Sequence, residues 1–93
     1  MPTPTALSAT PQAGPQVQLA WTDNSTGEDG FRILRATGGG PFSLIDTAAA
    51  DATGYTDTTV AAGKTYSYQI VAFDSLQPDS NPSNTAGATL TAS

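Results

Sequence analysis

Acidic side chains are concentrated in two polar segments, and they are the residues of this sequence best suited to chemistry. Asp23, Glu28 and Asp29 fall in the first segment, and Asp74 and Asp79 fall in the second. Paired carboxylates can serve as general acid and base in glycoside hydrolysis. That reaction also needs a cleft that holds the substrate. Solvated loop charges and turn caps explain the same residues without one, so we interpret them as structural.

The first acidic segment also carries oxygen donors of the kind that calcium prefers. They are spaced as Asp23-x-Ser25-x-x-Glu28-Asp29. This pattern lacks the regular spacing of an EF-hand loop, so we expect neither a bound metal nor another cofactor. Glu28 has two structural alternatives: it accepts backbone hydrogen bonds across the loop, or it pairs with Arg32 or Arg35.

Nucleophilic catalysis has few candidate residues in this chain. The sequence contains no histidine and no cysteine, and its single lysine, Lys64, precedes a strand pattern. A nucleophile needs a neighbouring base and an orienting group. A serine–lysine pair is conceivable, but no strand–turn–helix element presents one. We therefore expect a protein that is not an enzyme.

The charge balance restricts the partners. The net charge is −5, with three cationic and eight acidic side chains. Binding to nucleic acid requires several phosphate contacts, which three cations among eight acids cannot supply. No apolar run is long enough to cross a membrane, and the start of the chain is not typical of a signal peptide. A neutral polysaccharide or another protein stays open as a weakly bound partner.

One long strand pattern, residues 64–73, organises the elements that must position these side chains. Tyr66, Tyr68, Ile70 and Ala72 alternate at period two and share a face. A strand this long and apolar belongs in the middle of a sheet with a second layer against it. The segment 16–22 alternates in the same way and ends on the only tryptophan, Trp21, which we interpret as a core anchor.

The remaining patterns divide the chain into a linker end, residues 1–5, and one domain, residues 6–92. Strands are predicted at 6–10, 16–22, 31–35, 42–46, 55–58, 64–73 and 85–91. The alanine-rich segment 47–54 is too short for a helix, so we assign it to a loop. Seven short strands with regular turn signals indicate an antiparallel two-sheet sandwich, which offers no deep substrate cleft. The predicted core consists of Leu7, Val17, Leu19, Trp21, Phe31, Ile33, Tyr55, Val60, Tyr66, Tyr68, Ile70 and Ala72.

Four motifs along the chain resemble those of the fibronectin type III domain, in its bacterial form. They are Pro4-x-x-Leu7; Val17-x-Leu19-x-Trp21-Thr22-Asp23-Asn24-Ser25; Glu28-x-Gly30-Phe31-x-Ile33-x-Arg35; and Tyr55-x-Asp57 through Val60, Gly63-x-Thr65-Tyr66-x-Tyr68-x-Ile70-x-Ala72 and Ser80-x-x-Ser83-Asn84. The resemblance implies an all-β, seven-stranded antiparallel immunoglobulin-like β-sandwich. In this fold, strands A, B and E form one sheet and strands C, C′, F and G form the other.

The resemblance also implies roles for two residues. Tyr66 matches the tyrosine-corner residue, whose hydroxyl bonds to backbone in the preceding turn. Asp57 matches a turn residue that accepts backbone donors. Ala62 stands where many members have proline, which would loosen this turn slightly.

For function, the resemblance implies a non-catalytic accessory, spacer or protein-interaction module of a larger secreted or surface bacterial protein. A polysaccharide-degrading enzyme is the parent we expect. The alternative is a structural repeat of a self-assembling or adhesive protein, such as an adhesin, a phage tail protein or a surface filament. Either role places the chain in an extracellular or cell-surface location, with other domains of the parent chain as its partners.

Overall fold

The structure, a computed structural model, describes residues 2–24, 27–76 and 78–90. These residues form seven strands: β1 (Thr5–Gln12), β2 (Gln16–Thr22), β3 (Gly30–Thr37), β4 (Ser43–Ala49), β5 (Gly54–Asp57), β6 (Thr65–Phe73) and β7 (Ala86–Thr89). Among the described residues, no helix is long and apolar enough to cross a lipid bilayer.

The strands form two antiparallel sheets that pack face to face. One sheet has the order β1-β2-β5, and the other has the order β4-β3-β6-β7. This is the predicted all-β, seven-stranded sandwich, with β1, β2 and β5 as strands A, B and E. The long strand β6 lies between β3 and β7, as its apolar pattern requires. Strands β1 and β4 lie at sheet edges.

The core follows the period-two patterns of the central strands. Val17, Leu19, Phe31, Ile33 and Tyr68 are completely buried between the sheets. All the predicted core residues except Tyr55 lie in this buried cluster. Ala88 and Leu90 extend this cluster beyond the predicted set, and Ala36 and Val71 are buried outside it.

Tyr55 differs from its prediction as a core residue, because it is only half-buried. It lies on β5, an edge strand, and its ring packs against the outside of the core cluster. Its hydroxyl donates a hydrogen bond of 2.9 Å to a carboxylate oxygen of Asp46, on β4. Partial burial and this bond to a carboxylate raise the pKa of Tyr55 to about 12.

Strand β4 also departs from the prediction, which ended it at residue 46 and assigned 47–54 to a loop. It continues to Ala49, because Thr47, Ala48 and Ala49 pair with the first residues of β3. An alanine run carries little strand propensity of its own, so the pairing with β3 decides its conformation. Ala48 is half-buried against the core. The loop is therefore confined to residues 50–53.

The N-terminal segment packs more closely on the domain than a linker end would. Strand β1 begins at Thr5, and Pro4 is fully buried. The side-chain amide of Asn24 donates to the backbone oxygen of Thr3 and to the hydroxyl of Thr5, both at 2.9 Å. Strand β1 also continues past its predicted end at residue 10 to Gln12, which an edge strand tolerates despite its proline.

Two serines complete the edge of β6 before β7 begins. The backbone N–H of Ala72 donates to the hydroxyl of Ser80, and the backbone oxygen of Ala72 accepts the backbone N–H of Ser80. Ile70 forms the same pair of bonds with Ser83. Asn84 then bonds both backbone groups of Leu7, on β1. The Ser-x-x-Ser-Asn pattern therefore closes the side of the sandwich between the two sheets.

Trp21 is the aromatic anchor of this core. Its side chain is 5% exposed, and its ring lies 5.5 Å from the ring of Phe31, tilted at 60°. We expect Trp21→Ala to lower the free energy of unfolding by about 3–5 kcal/mol through the cavity it leaves. Domains of this size hold about 5–15 kcal/mol in total, so urea titration should find the variant barely folded.

Leu76→Ala is the matched control, because Leu76 is 89% exposed. Its urea midpoint should equal that of the parent protein. A Trp21→Ala variant with the parent's midpoint would contradict a core role for Trp21.

Candidate functional site

The loops at one end of the sandwich carry most of the acidic residues. We call this the N-terminal end: it comprises residues 2–4 and the loops 23–29, 50–53 and 74–79, which follow β2, β4 and β6. The opposite, C-terminal end comprises the turns 13–15, 38–42 and 58–64 together with Leu90. The strand registers place the start of β1 at the first end and the finish of β7 at the second.

Three carboxylates converge at the N-terminal end. Carboxylate oxygens of Asp23, Glu28 and Asp51 all lie within 4.8 Å of one another. Two of these residues belong to the loop between β2 and β3, and the third belongs to the loop between β4 and β5. We call these three residues the carboxylate cluster. Asp51 was absent from the sequence candidates, because only the fold brings its loop beside residues 23–28.

Glu28 is the buried member of the carboxylate cluster, with 4% of its surface exposed. Its Oε1 accepts a hydrogen bond of 3.2 Å from the backbone N–H of Asp51. Its Oε2 is buried without a hydrogen-bond partner among the described residues. A hydrogen bond with Asp23 and bonds to backbone N–H groups outweigh burial and hold the pKa of Glu28 below its usual value.

Glu28 accepts a backbone hydrogen bond, as one alternative expected, but the donor is Asp51 in the loop between β4 and β5 and not a group across its own loop. The other alternative paired it with an arginine. Arg32 instead forms a salt bridge of 3.1 Å with Asp79, and Arg35 forms one of 2.9 Å with Asp57. Among the described residues, neither arginine forms a salt bridge to the carboxylate cluster.

The other acids of this end have structural partners. The carboxylate of Asp29 accepts the backbone N–H of Ser75 at 2.8 Å. The carboxylate of Asp74 accepts the backbone N–H of Leu76 at 3.1 Å. These bonds fix the turn after β6, as expected for turn caps.

A buried polar network occupies the opposite part of the sandwich, around Asp57. The side chain of Asp57 is completely buried at the end of β5. Its Oδ2 accepts from the hydroxyl of Tyr68 at 2.8 Å and from Nη1 of Arg35 at 2.9 Å. Its Oδ1 accepts from the backbone N–H and the hydroxyl of Thr59. Asp57 thus has the predicted turn role and also joins the two sheets.

Titration of Asp57 follows from these contacts. Burial alone would raise the pKa of Asp57, but the bonds from Thr59, Arg35 and Tyr68 outweigh it, so the pKa lies below its usual value. Burial and the neighbouring carboxylate raise the pKa of Tyr68.

Tyr66 lies beside this network at the start of β6. Its hydroxyl accepts the backbone N–H of Ala61 at 2.9 Å, within the turn that precedes the strand. This is the bond expected of a tyrosine corner. The guanidinium of Arg35 lies 5.2 Å from the centre of the Tyr66 ring. The alanine at position 62 therefore leaves the corner intact.

A groove lies at the C-terminal end of the sandwich. It is lined by Pro11–Pro15, Ala62, Thr89 and Leu90. None of these residues carries a titratable side chain, so the groove has no acid, base or charged nucleophile. The acids of the opposite end do not contribute to it.

Comparison with known proteins identifies the fold family. No protein-family model matches the chain, and no curated protein matches it. An Fn3-like protein from Clostridium thermocellum is 31% identical, with a TM-score of 0.78 over 96% of this chain and 92% of that one. The chain belongs to the fibronectin type III family.

Two further structures share the fold at lower identity. A beta-1,2-glucanase from Parabacteroides distasonis is 23% identical, with a TM-score of 0.77 over 99% of this chain. The pectate lyase Pel3 from Pectobacterium carotovorum is 15% identical, with a TM-score of 0.81 over 98% of it. This fibronectin type III chain spans only 13% of the glucanase and 28% of the lyase.

The tyrosine corner of this fibronectin type III domain can be tested by one substitution. Tyr66→Phe removes the acceptor of the Ala61 N–H, so we expect the free energy of unfolding to fall by about 1–2 kcal/mol. Urea titration measures the loss. Tyr55→Phe, which removes a hydroxyl bonded to an exposed carboxylate, should cost less. Equal losses in the two variants would argue against a specific corner.

Asp57 generates a prediction about acid stability. Its folded pKa is lowered, so its contribution is complete above the ordinary aspartate pKa, about 3.9, and disappears as the pH falls below that value. We expect Asp57→Asn to cost about 3 kcal/mol at pH 7, since it breaks a buried pair. The difference from the parent protein should shrink steadily in urea titrations below pH 4.

Asp46→Asn provides the control, because Asp46 is exposed and lies outside the Asp57 network. Its effect should be small at every pH. An Asp57→Asn deficit that stayed constant from pH 7 to pH 2 would contradict an ionised Asp57 in the folded state.

Proposed function

We propose that this fibronectin type III domain is a non-catalytic accessory module of a larger secreted or surface protein. It holds neighbouring domains apart and offers at most weak interaction surfaces. The observation that carries this proposal is the direction of the chain. Strand β1 starts at one end of the sandwich and β7 finishes at the other, along a molecule whose long axis measures 45 Å. Neighbouring domains would therefore attach at opposite ends.

The comparisons support a polysaccharide-degrading enzyme as the parent. The same fold forms a small part of a chain named as a glucanase and of another named as a pectate lyase. Most of the acids accept hydrogen bonds or form salt bridges within the domain, which supports a role without catalysis. The net charge of −5 disfavours nucleic acid as a partner. The similarity to domains of a glucanase and a pectate lyase also supports a location outside the cell or at its surface.

A rigid spacer differs from a flexible linker in the spread of its end-to-end distance. A Gly/Ser chain of 93 residues has a mean separation of about 50–55 Å with a broad distribution. Thr3→Cys and Lys64→Cys place spin labels at opposite ends of a chain that has no other cysteine. We expect one narrow distance distribution, approaching the 45 Å long axis, in pulsed electron spin measurements.

The same doubly labelled protein in concentrated urea is the control, and its distribution should broaden. A broad distribution without urea would refute the rigid spacer.

Sedimentation with insoluble cellulose, chitin and pectin tests the weak-contact part of the proposal. The protein should stay in the supernatant, and saturable retention or release of reducing sugar would instead indicate a binding or catalytic module.

A structural repeat in a self-assembling protein is the second candidate. The edge strand β4 favours it, because Leu44 is 55% exposed there and Phe42, just before it, is 37% exposed. An open edge with apolar side chains can pair with another chain. Sedimentation velocity from micromolar to millimolar protein distinguishes the candidates: a constant monomer supports the spacer, and reversible growth that Leu44→Lys abolishes supports assembly.

A further inference from the structure

We propose that the carboxylate cluster, formed by Asp23, Glu28 and Asp51, binds a calcium ion. The ion would join the loop that follows β2 to the loop that precedes β5. This binding site goes beyond the spacer role, and neither role depends on the other.

The geometry of the cluster fits one calcium ion. Calcium binds oxygen at about 2.3–2.6 Å, so two ligands on opposite sides of one ion lie at most about 4.6–5.2 Å apart. The three carboxylate oxygens all lie within 4.8 Å of one another. One ion can therefore contact Asp23, Glu28 and Asp51 without separating the loops.

The buried oxygen of Glu28 is an independent observation that points to a ligand. Glu28 is more than nine-tenths buried, and its Oε2 has no hydrogen-bond partner among the described residues. The hydrogen bonds that lower the pKa of Glu28 leave its Oε2 without a donor, and a buried oxygen that has lost water without gaining a partner is costly. A cation between Glu28, Asp23 and Asp51 would compensate it.

The cationic side chains of the protein are committed elsewhere. The sequence contains three of them. Arg32 pairs with Asp79 and Arg35 pairs with Asp57, while Lys64 precedes β6 at the C-terminal end. Three acids close together without a basic side chain are better matched to a doubly charged ion than to solvent alone.

Calcium fits the cluster better than magnesium does. Magnesium demands near-octahedral geometry and usually keeps several waters, with only one or two carboxylates. Calcium accepts irregular sets of six to eight oxygens. Asp51 is exposed and Asp23 is half-buried, so water can complete the coordination from the open side. With three protein ligands, we expect a dissociation constant of about 10⁻⁴–10⁻³ M, as in extracellular modules.

Proton sharing among the three carboxyls is the competing account. It would compensate the Oε2 of Glu28 with a proton instead of an ion. The two accounts differ in calcium dependence: an ion that binds only the folded state raises the melting temperature in proportion to the logarithm of its excess. A shared proton produces no such dependence.

The experiment is a thermal melt of the purified chain, stripped with EDTA, in a phosphate-free buffer at pH 7 and constant ionic strength. We expect 10 mM CaCl₂ to raise the melting temperature by about 5–20 °C in a saturable manner. MgCl₂ at the same concentration should raise it much less. Isothermal titration with CaCl₂ should find one site per chain.

Two variants test the ligands, and one provides a matched control. Asp51→Asn removes the exposed ligand and should weaken calcium binding at least 10-fold while the protein stays folded. Glu28→Gln keeps the shape of the buried ligand and should weaken it further. Asp74→Asn removes one charge at the same end but can still accept the Leu76 N–H, so it should keep the calcium response of the parent protein.

Several results would overturn the calcium site. One is an unchanged melting temperature up to 10 mM CaCl₂ in the parent protein. Another is an equal calcium response in Asp51→Asn and Asp74→Asn, which would indicate general charge screening. A third is a Glu28→Gln variant that is more stable than the parent in EDTA while neither protein responds to calcium, because proton sharing predicts that outcome. None of these results bears on the spacer role, which the spin-label distances test separately.

Discussion

The ion pair around Asp57 is the interaction on which the packing of the two sheets depends. Asp57 is completely buried on β5, while its partners Arg35 and Tyr68 lie on β3 and β6, in the other sheet. A buried carboxylate destabilises a protein unless it is paired and fully hydrogen-bonded. Here a guanidinium, a tyrosine hydroxyl and Thr59 satisfy both oxygens. These bonds can form only while the distance between the two sheets stays fixed.

The two ends of the sandwich differ in how fully they hydrogen-bond a buried carboxylate. Around Asp57, the fold supplies every donor that the carboxylate needs, and the tyrosine corner formed by Tyr66 holds the adjacent turn. At the other end, Glu28 receives one backbone donor on Oε1 and lies close to two further carboxylates. The first arrangement is complete in itself. The second leaves a buried oxygen to be satisfied by a proton or an ion.

The residues that maintain the fold are different from the surfaces that are open to partners. The interior, the Ser80 and Ser83 contacts and the Asp57 network preserve one sandwich in which β1 starts at one end and β7 finishes at the other, as a spacer requires. The loops at the N-terminal end and the exposed edge of β4 are the surfaces on which partners could act. Of the acids at that end, Asp29 and Asp74 cap turns and Asp79 forms a salt bridge with Arg32.

The sequence by itself determined a sandwich of seven short strands and most of its core. Period-two alternation is a local property, so Val17, Leu19 and Trp21, like the alternating residues of β6, could be assigned to the interior from spacing alone. The tyrosine corner could be predicted because its hydroxyl bonds only a few residues back along the chain. Resemblance to the fibronectin type III family then supplied the division into two sheets.

Only the tertiary structure decided the contacts between segments far apart in sequence. Ala48 and Ala49 become strand because β3 lies beside them, and Tyr55 is half-buried because β5 is an edge. The bonds of Asp57 to Arg35 and Tyr68 and the approach of Asp51 to Glu28 join residues more than ten positions apart. No local sequence pattern predicts these contacts, because they arise when whole strands pack together and bring their loops side by side.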